Sequence, residues 1–369
     1  MAGKETSNSD REPGSPRHKG RAALSNRDGR YEQLRHETVD DGWGSGDAAL
    51  PPLRTTVTED RTRTVIARNQ SPDVPFEQSI NPYRGCEHGC VYCYARPTHA
   101  YLGLSPGLDF ETRLFAKPDA AQLLRQELRH PGYRCKVIAL GTNTDPYQPI
   151  ERKRQITREV LAVLADFCHP VTIVTKSALV ERDIDILADM ARQQLAQVTL
   201  SITTFDRELS RRMEPRATAP QRRLEAVHTL AQAGIPTSVL VAPVIPGLND
   251  DEIESILEAC AQAGAQSAGY VFLRLPLEIK DLFQEWLAVH YPLKKERVMG
   301  LIRQSRAGRE NDPRFGTRMT GTGAYADLIA RRFSVACKRL SLDRTATSLD
   351  TKRFRRHEDT GVQPDLFAG

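Results

Sequence analysis

The sequence predicts an α/β fold in which six βα units form a partial (β/α)6 TIM-like barrel between disordered tails. Five short segments are rich in β-branched residues and apolar on both faces, as buried parallel strands are; they begin near residues 136, 171, 198, 237 and 269. Segments with helical apolar spacing separate them, and the strand starts recur roughly every 27 to 39 residues, the size of a βα unit. A further strand, expected around Glu77 to Asn81, would be the first of six.

Four regions follow from composition along the 369-residue chain. Residues 1–60 combine polar residues, glycine and proline with few large apolar side chains, so we expect a disordered N-terminal tail. Residues 61–277 contain the predicted barrel, and residues 278–343 are expected to form a mostly helical extension that covers its open side. Residues 344–369 have a composition similar to that of the first region, so we expect a basic, disordered tail.

The composition excludes secreted and membrane-spanning classes of protein. The chain is 39% hydrophobic and 27% charged, which is typical of soluble proteins. No apolar run approaches the roughly 18 residues that a membrane span requires, and the N-terminus lacks the apolar core of a signal peptide. Seven cysteines, three of them clustered, argue against a secreted disulfide framework. We therefore expect a cytoplasmic protein with no membrane partner.

Positive charge is concentrated near the C-terminus. The whole chain carries a net charge of +5, whereas Arg331 to His357 contains nine lysines and arginines against two aspartates, a net charge of +7. A basic segment of this kind fits a footprint for the phosphate backbone of DNA. The alternative is a solvated basic tail without a partner.

Three cysteines in a short run, Cys86, Cys90 and Cys93, carry the most information. They fall in the loop after the first predicted strand, where barrels of this type place functional residues. Thiolates are the usual ligands of iron–sulfur clusters, and a four-iron cubane with three protein ligands keeps one iron open for chemistry. From the residues alone, zinc with His88 or His99 as fourth ligand is the alternative, although zinc sites favour paired Cys-x2-Cys clusters.

The Cys-x3-Cys-x2-Cys run, with Tyr92 before its third cysteine, resembles the radical S-adenosylmethionine (SAM) superfamily. Further motifs between about residues 60 and 335 are similar to its spore photoproduct lyase-like, DNA repair photolyase-type branch: Asn81-Pro-Tyr-Arg-Gly-Cys86, Gly141–Glu151, Thr175-Lys-Ser177, Arg182–Asp185, Glu214-Pro-Arg216, Pro243–Asp250 and Gly321–Tyr325. The resemblance implies a barrel of the radical SAM type and a [4Fe–4S] cluster held by Cys86, Cys90 and Cys93. SAM would chelate the fourth iron, and the reduced cluster would cleave it to methionine and a 5′-deoxyadenosyl radical that abstracts hydrogen from a substrate.

The resemblance also implies a set of SAM contacts: Tyr92, Thr144, Asp145, Lys176, Ser201 and Arg216. Tyr92 would face adenine, and the loop of Thr144 and Asp145 would receive the amino group, because a carboxylate suits an ammonium. Asp145 stands before Pro146, so a turn is its alternative role. Lys176 would pair with the SAM carboxylate, and Ser201 with that carboxylate or a ribose hydroxyl. Arg216, like Glu214 beside it, would contact SAM or the substrate.

The expected function is that of a radical SAM enzyme acting on nucleic acid, with lyase chemistry like that of DNA repair. One alternative is a radical SAM enzyme that modifies a protein, peptide or small molecule. Another is a zinc-stabilised nucleic-acid-binding protein without catalysis. One departure from the branch stands out. Spore photoproduct lyases carry a hydrogen-donor cysteine just after the second strand, whereas Thr142-Asn-Thr-Asp145 has none and Cys135 lies at the other end of that strand.

Two further partners are expected. Gln363-Pro-Asp-Leu-Phe367 resembles the short peptide by which bacterial DNA-repair and replication proteins dock on the sliding clamp, and an accidental match is the alternative. The family resemblance also implies a reducing electron donor such as flavodoxin or ferredoxin.

Overall fold

The computed structural model describes residues 18–31, 53–343 and 348–356. Its main sheet has seven strands, in the spatial order β10 (Ser267–Phe272), β9 (Thr237–Val244), β8 (Ala196–Ser201), β7 (Val171–Thr175), β6 (Ile138–Leu140), β3 (Gln78–Ile80) and β2 (Ile66–Arg68). From β3 to β10 every neighbouring pair is parallel, whereas β2 runs antiparallel to β3. The six predicted parallel strands are confirmed, and the fold is the predicted partial barrel. We call the end at which these strands finish the mouth, and the opposite end the base.

A smaller sheet lies beside the start of the cysteine run. It contains β1 (Thr56–Glu59), β5 (Arg113–Ala116) and β4 (Tyr83–Arg84), with β5 in the middle. Because β4 ends just before Cys86, its pairing with β5 fixes the point at which the chain enters the cysteine loop.

Helices follow the strands and cover the outside of the barrel. They are α1 (Leu108–Thr112), α2 (Ala120–Arg129), α3 (Glu151–Arg154), α4 (Ile156–Asp166), α5 (Ile184–Arg192), α6 (Arg207–Met213), α7 (Pro220–Gln232), α8 (Ile253–Gln262), α9 (Ile279–His290), α10 (Pro292–Gln304) and α11 (Ala324–Leu340). The predicted apolar stripes are their buried faces; Val160 and Leu164 of α4, for example, are completely buried against the sheet. In the described residues, no helix is both long and apolar enough to cross a bilayer.

The loop between α10 and α11 contacts the connection between β2 and β3, at one edge of the main sheet. Arg318 donates to the Asp73 carboxylate and to the Ser71 hydroxyl, and the amide of Gly316 donates to Asp73 Oδ1 over 2.7 Å. Asp73 lies between β2 and β3, so these bonds connect the C-terminal part of the chain to the opposite edge of the main sheet.

Part of the N-terminal region is ordered, contrary to expectation. Ala22 and Ala23 are 1% and 2% exposed, and their amides donate to the carboxylate of Glu111 over 3.2 and 3.0 Å. The expected disorder of residues 1–60 is therefore wrong for residues 18–31, as it is for β1. Composition does not predict this order, because the buried amides donate to a carboxylate that is distant in sequence. Residues 1–17 and 32–52 lie outside the described part of the chain.

The second expected tail, residues 344–369, is also ordered in part. The ring of Phe354 packs against Tyr133, Phe167 and His169, and the amide of Arg355 donates to the Phe167 carbonyl over 2.9 Å. Burial of this aromatic ring opposes disorder over residues 348–356. Residues 344–347 and 357–369, which include the clamp-like peptide Gln363–Phe367, lie outside the described residues.

The described parts of the basic segment, residues 331–343 and 348–356, lie at the side of the barrel and at its base. Arg332 of α11 pairs with Glu254 of α8, and Asp343 forms a β-bridge with Ser267 at the start of β10. Further along, Arg356 donates to the Tyr133 carbonyl over 3.2 Å, just before β6. Residues 348–356 therefore lie at the opposite end of the barrel from the cysteines.

Candidate active site

The cysteine loop depends on two glycines in the left-handed region of backbone space. Gly85 has φ +74° and Gly89 has φ +67°. A Cβ atom at Gly85 would stand 2.7 Å from Leu114 Cδ2, and one at Gly89 would stand 2.7 Å from Glu111 Oε2. Both the backbone conformation and the available space require glycine at these two positions, so the loop can turn tightly around the cysteines.

A buried arginine holds the loop from within. Arg96 is completely buried, and its guanidinium donates to the carbonyls of Cys90 over 2.8 Å and Gly89 over 3.0 Å. It also forms an ion pair with Glu111, which is equally buried. Arg96 and Glu111 thus fix the loop that carries the thiols. The sequence did not predict the roles of Arg96 and Glu111, because the bonds of Arg96 to backbone carbonyls leave no pattern in the sequence.

The donor set fits a cubane cluster better than a zinc ion. All three thiols are free, and burial raises the pKa of each. In the residues that the structure describes, no three histidine, cysteine, aspartate or glutamate side chains are arranged to hold one metal ion together. Thiolates of a cubane bind different irons, so they need not converge on one point.

One ring nitrogen of each candidate fourth ligand for zinc has a partner elsewhere. His88 Nδ1 lies 3.3 Å from Asp145 Oδ2, and His99 Nε2 lies 2.9 Å from the carbonyl of Arg113. The local geometry therefore favours three protein ligands and an open fourth iron over a closed zinc site.

A buried carboxylate stands next to Cys90. Glu214 Oε1 accepts a hydrogen bond from Arg223 over 2.8 Å, and Oε2 accepts one from the Tyr92 hydroxyl over 2.5 Å. Oε2 also lies 3.9 Å from Cys90 Sγ. Burial alone raises the pKa of Glu214, but the positive charges of Arg223 and Lys176 outweigh it and hold the pKa below its usual value.

Lys176 and Ser201, at the mouth ends of β7 and β8, join this cluster. Lys176 Nζ donates to Ser201 Oγ over 2.5 Å and to the Ala242 carbonyl over 3.1 Å. The same ammonium lies 4.0 Å from Glu214 Oε2 and 5.8 Å from the centre of the Tyr92 ring. The structure thus brings three of the predicted SAM contacts together beside Cys90. Glu214, whose role the sequence left open, links them.

Asp145 makes the contacts of a turn residue, which is the alternative role that the sequence left open. Its Oδ1 accepts bonds from Thr175 Oγ1 over 2.7 Å and from the Tyr147 amide over 2.9 Å. Its Oδ2 accepts from the Lys176 amide over 2.8 Å and faces His88. These four partners use the acceptor capacity of the carboxylate, so an ammonium has no oxygen left to approach. The structure therefore supports the turn role of Asp145.

The remaining two predicted contacts bond elsewhere. The Thr144 hydroxyl is buried and donates to the Tyr83 carbonyl of β4 over 2.9 Å. Arg216 pairs with Glu87 of the cysteine loop over 3.2 Å, and its side chain is 38% exposed. Thr144 therefore bonds to β4, which leads into the cysteine loop, whereas Arg216 lies beside this loop with its guanidinium partly exposed to solvent.

Comparison with known proteins decides the family. The model of the radical SAM superfamily matches residues 80–260, which contain the cysteine run and the starts of four of the six parallel strands, β6, β7, β8 and β9. The chain belongs to the radical SAM superfamily. Its cofactors are therefore a [4Fe–4S] cluster and S-adenosylmethionine, as predicted.

Relatives of this radical SAM protein occur in bacteria, archaea and phages. An uncharacterized protein of Mycobacterium tuberculosis is 39% identical over 243 residues, covering 64% of this chain and 72% of the relative. One from Methanocaldococcus jannaschii is 29% identical over 219 residues, covering 59% and 78%. The radical SAM Nalpha-GlyT isomerase of Pseudomonas phage M6 is 25% identical over 194 residues, covering 51% and 38%.

Solved structures share the barrel. A mutant spore photoproduct lyase with bound AdoMet and dinucleoside spore photoproduct superposes with a TM-score of 0.53 at 16% identity, covering 77% of this chain and 78% of that one. Another mutant of the same enzyme gives a TM-score of 0.54, covering 78% and 79%. At this level of identity, the likeness establishes the fold.

Proposed function

We propose that this radical SAM enzyme acts on nucleic acid, with lyase chemistry related to DNA repair. The observation that carries the proposal is the solved spore photoproduct lyase complex, in which a barrel of the same fold holds both AdoMet and a dinucleoside photoproduct. This chain shares that fold over 77% of its length and places its cysteine loop at the mouth.

The proposed division of labour follows the geometry of the mouth. Cys86, Cys90 and Cys93 would hold the cluster. Bound and reduced, the cluster and SAM supply the 5′-deoxyadenosyl radical that abstracts hydrogen from the substrate. Lys176 offers a positive charge to the SAM carboxylate, and Ser201 offers a hydroxyl that is already oriented by the Ala242 carbonyl.

Buried apolar residues pack around Cys90 and Tyr92. Buried residues that belong to the same apolar cluster as Cys90 and Tyr92 are Ala22, Val91, Met213, Ile245, Leu248, Leu273 and Leu275. A radical on a primary carbon needs such a site, because stray water and stray C–H bonds would divert it.

One observation favours a second candidate, a radical SAM enzyme that rearranges or modifies a protein, peptide or small molecule. The loop 142–145 offers no hydrogen-donor thiol; its Thr142 carbonyl accepts a bond from Tyr94 instead. Cys135 precedes β6 at the base and does not replace it. The phage relative is named an isomerase, and an isomerisation redistributes atoms within one substrate without a net hydrogen donor.

Anaerobic reconstitution tests the proposal directly. The reduced, cluster-loaded protein is incubated with SAM and irradiated DNA, and 5′-deoxyadenosine and altered bases are measured by mass spectrometry. We expect 5′-deoxyadenosine to increase with DNA and a changed base to appear, with the Cys90→Ala variant as blank. If 5′-deoxyadenosine forms at the same rate with and without DNA, and no base changes, the second candidate replaces the first.

Three further elements of the proposal concern cellular context. A cytoplasmic location is supported by seven free cysteines, since reducing compartments keep thiols unpaired. An electron donor of the flavodoxin or ferredoxin type would reduce the cluster. Docking on the sliding clamp through Gln363–Phe367 would bring the enzyme to DNA. A pull-down with immobilised clamp checks this docking: full-length chain should be retained, and a chain ending at residue 362 should not.

A further inference from the structure

Arg274, an arginine at the mouth, has no carboxylate within 4 Å in the described part of the chain, and the charge of Asp73 acts on it from farther away. Arg274 follows directly after β10, where the sixth parallel strand ends. Its guanidinium carbon lies 5.8 Å from the centre of the Tyr94 ring, and Tyr94 is the residue after Cys93. Arg274 therefore stands over the cysteine loop at the mouth.

The contacts of Arg274 leave hydrogen-bonding capacity unused. Within the described residues, its Nη1 makes a weak bond to the Met319 sulfur over 3.6 Å, and its buried Nε has no hydrogen-bond partner. Arg96 and Arg223, by contrast, each pair with a fully buried glutamate. A guanidinium in such a place retains the capacity to bind an anion bidentately.

Neighbouring groups increase the positive potential around Arg274. Arg306 is buried, donates to the carbonyl of Leu273 over 2.7 Å, and also has a buried Nε without a partner in the described chain. The charge of Arg318 also acts on Arg274, although Arg318 is paired with Asp73. Burial and the charge of Arg318 lower the pKa of Arg274. An anionic ligand would relieve this repulsion.

Exposed aromatic faces accompany these arginines. Tyr94 is 49% exposed and Phe315 is 59% exposed, and the guanidinium of Arg318 lies 4.6 Å over the Phe315 ring. Bases of a single strand stack on such rings, each stack contributing about 1–3 kcal/mol. An acidic peptide would use the positive charge but has no use for two partly exposed aromatic rings.

We propose that Arg274 binds a phosphodiester of a single-stranded segment of the nucleic-acid substrate, with Tyr94 and Phe315 as stacking faces. This inference rests on the proposed nucleic-acid function. It assigns a phosphate contact to Arg274 at the mouth, whereas the sequence pattern predicted the phosphate footprint in the basic segment 331–357.

The salt dependence of DNA binding distinguishes a phosphate contact at Arg274 from one in the basic segment 331–357. Fluorescence anisotropy of a labelled single-stranded DNA oligonucleotide is followed with the cluster-loaded, unreduced protein over about 50 to 200 mM salt. We expect Arg274→Gln to weaken binding about tenfold at low salt and to lower the slope of log K against log salt by about 0.7, the value for one phosphate contact on a single strand. The matched control Arg331→Gln removes an exposed arginine of the basic segment and should change neither quantity.

A second variant controls for folding. Arg274→Lys keeps the charge without the planar fork, so it should keep the slope and lose part of the affinity. Its iron content and melting temperature should equal those of the unmodified protein. If Arg274→Gln proves unstable, the comparison of Arg274→Lys with Arg331→Gln decides.

Three outcomes overturn the inference. An unchanged slope and affinity in Arg274→Gln, with DNA bound by the unmodified protein, overturn it and leave the nucleic-acid function standing. An equal loss in Arg331→Gln shows that overall charge, not the mouth, binds DNA. If the unmodified protein ignores DNA at low salt but binds polyglutamate, both the inference and the proposed function fail, and the anion is a carboxylate.

Discussion

The mouth and the base of the barrel differ in how deeply their arginine–carboxylate ion pairs are buried. Beside the cysteine loop, both partners of Arg96–Glu111 and of Arg223–Glu214 are 0% exposed. Near the base, the partners of Arg192–Asp189 are 71% and 66% exposed. Removing one partner of a buried pair costs about 3–5 kcal/mol, whereas an exposed pair contributes about 0–1 kcal/mol. Charges at the mouth therefore fix the position of the thiols and of Lys176, and charges at the base are mostly solvated.

The largest expected effect is complete loss of the cluster. Cys90→Ala removes one of the three thiolates at the mouth, and alanine offers no ligand to replace it. We expect loss of iron and sulfide, of absorbance near 400 nm and of all SAM cleavage. Cys135→Ala, at the base, is the matched control and should keep all three. A full cluster in Cys90→Ala would show that the ligands have been misassigned.

The buried pair of the cysteine loop is expected to give the next largest effect. Arg96→Met leaves the Glu111 carboxylate buried without its partner, so the free energy of unfolding should fall by about 3–5 kcal/mol. Arg192→Met, which breaks the exposed pair near the base, should change it by at most about 1 kcal/mol. Urea unfolding of the cluster-free proteins measures both. Equal effects in the two variants would remove the contrast between mouth and base.

At the base, a buried histidine makes stability depend on pH. Burial lowers the pKa of His169 to about 4, from an ordinary value of 6.5. Between these values the unfolded chain binds more protons than the folded one, so stability should fall as pH falls, by about 3 kcal/mol in total. Unfolding at pH 7, 5.5 and 4.5 measures the slope. His169→Gln should lose this part of the pH dependence; an identical slope in the variant would contradict the assignment.

The smallest expected effect concerns SAM. Lys176→Ala removes the ammonium that is held by Ser201 and Ala242, so SAM should bind about 10- to 100-fold more weakly, as expected for a lost hydrogen bond to a charged group. Calorimetric titration of the cluster-loaded protein measures this, and its iron content should stay unchanged. Lys136→Ala, which breaks an exposed pair with Glu77 before β6, is the control. Unchanged SAM affinity in Lys176→Ala would take this lysine out of the site.

Sequence patterns predicted the barrel well because its strands are buried on both faces. Val171–Thr175 and Thr237–Val244 begin at the predicted residues, and the helical stripes of α4 and α8 face the sheet. The cysteine run and its two glycines were equally predictable, since both ligand spacing and positive φ leave a local signature. Lys176 and Ser201 followed from their positions at strand ends.

Long-range bonds account for what the sequence did not predict. The order of residues 18–31 depends on Glu111, which accepts from amides almost ninety positions away. Phe354 holds residues 348–356 at the base through rings that stand far from it in sequence. Asp145 was predicted to receive the amino group of SAM because a carboxylate suits an ammonium, with a turn as its alternative role. The four donors that surround it come from the turn, from β7 and from His88.

The shared carboxylate of Glu111 has a consequence for hydrogen exchange. It accepts from the amides of Ala22 and Ala23 and pairs with Arg96, so release of the N-terminal segment would remove two bonds from the residue that steadies the cysteine loop. The two amides should consequently exchange with deuterium as slowly as those of the central strands, although they stand near the start of the chain. Faster exchange in Gly89→Ala, whose added methyl would press on Glu111, would reveal the same linkage from the other side.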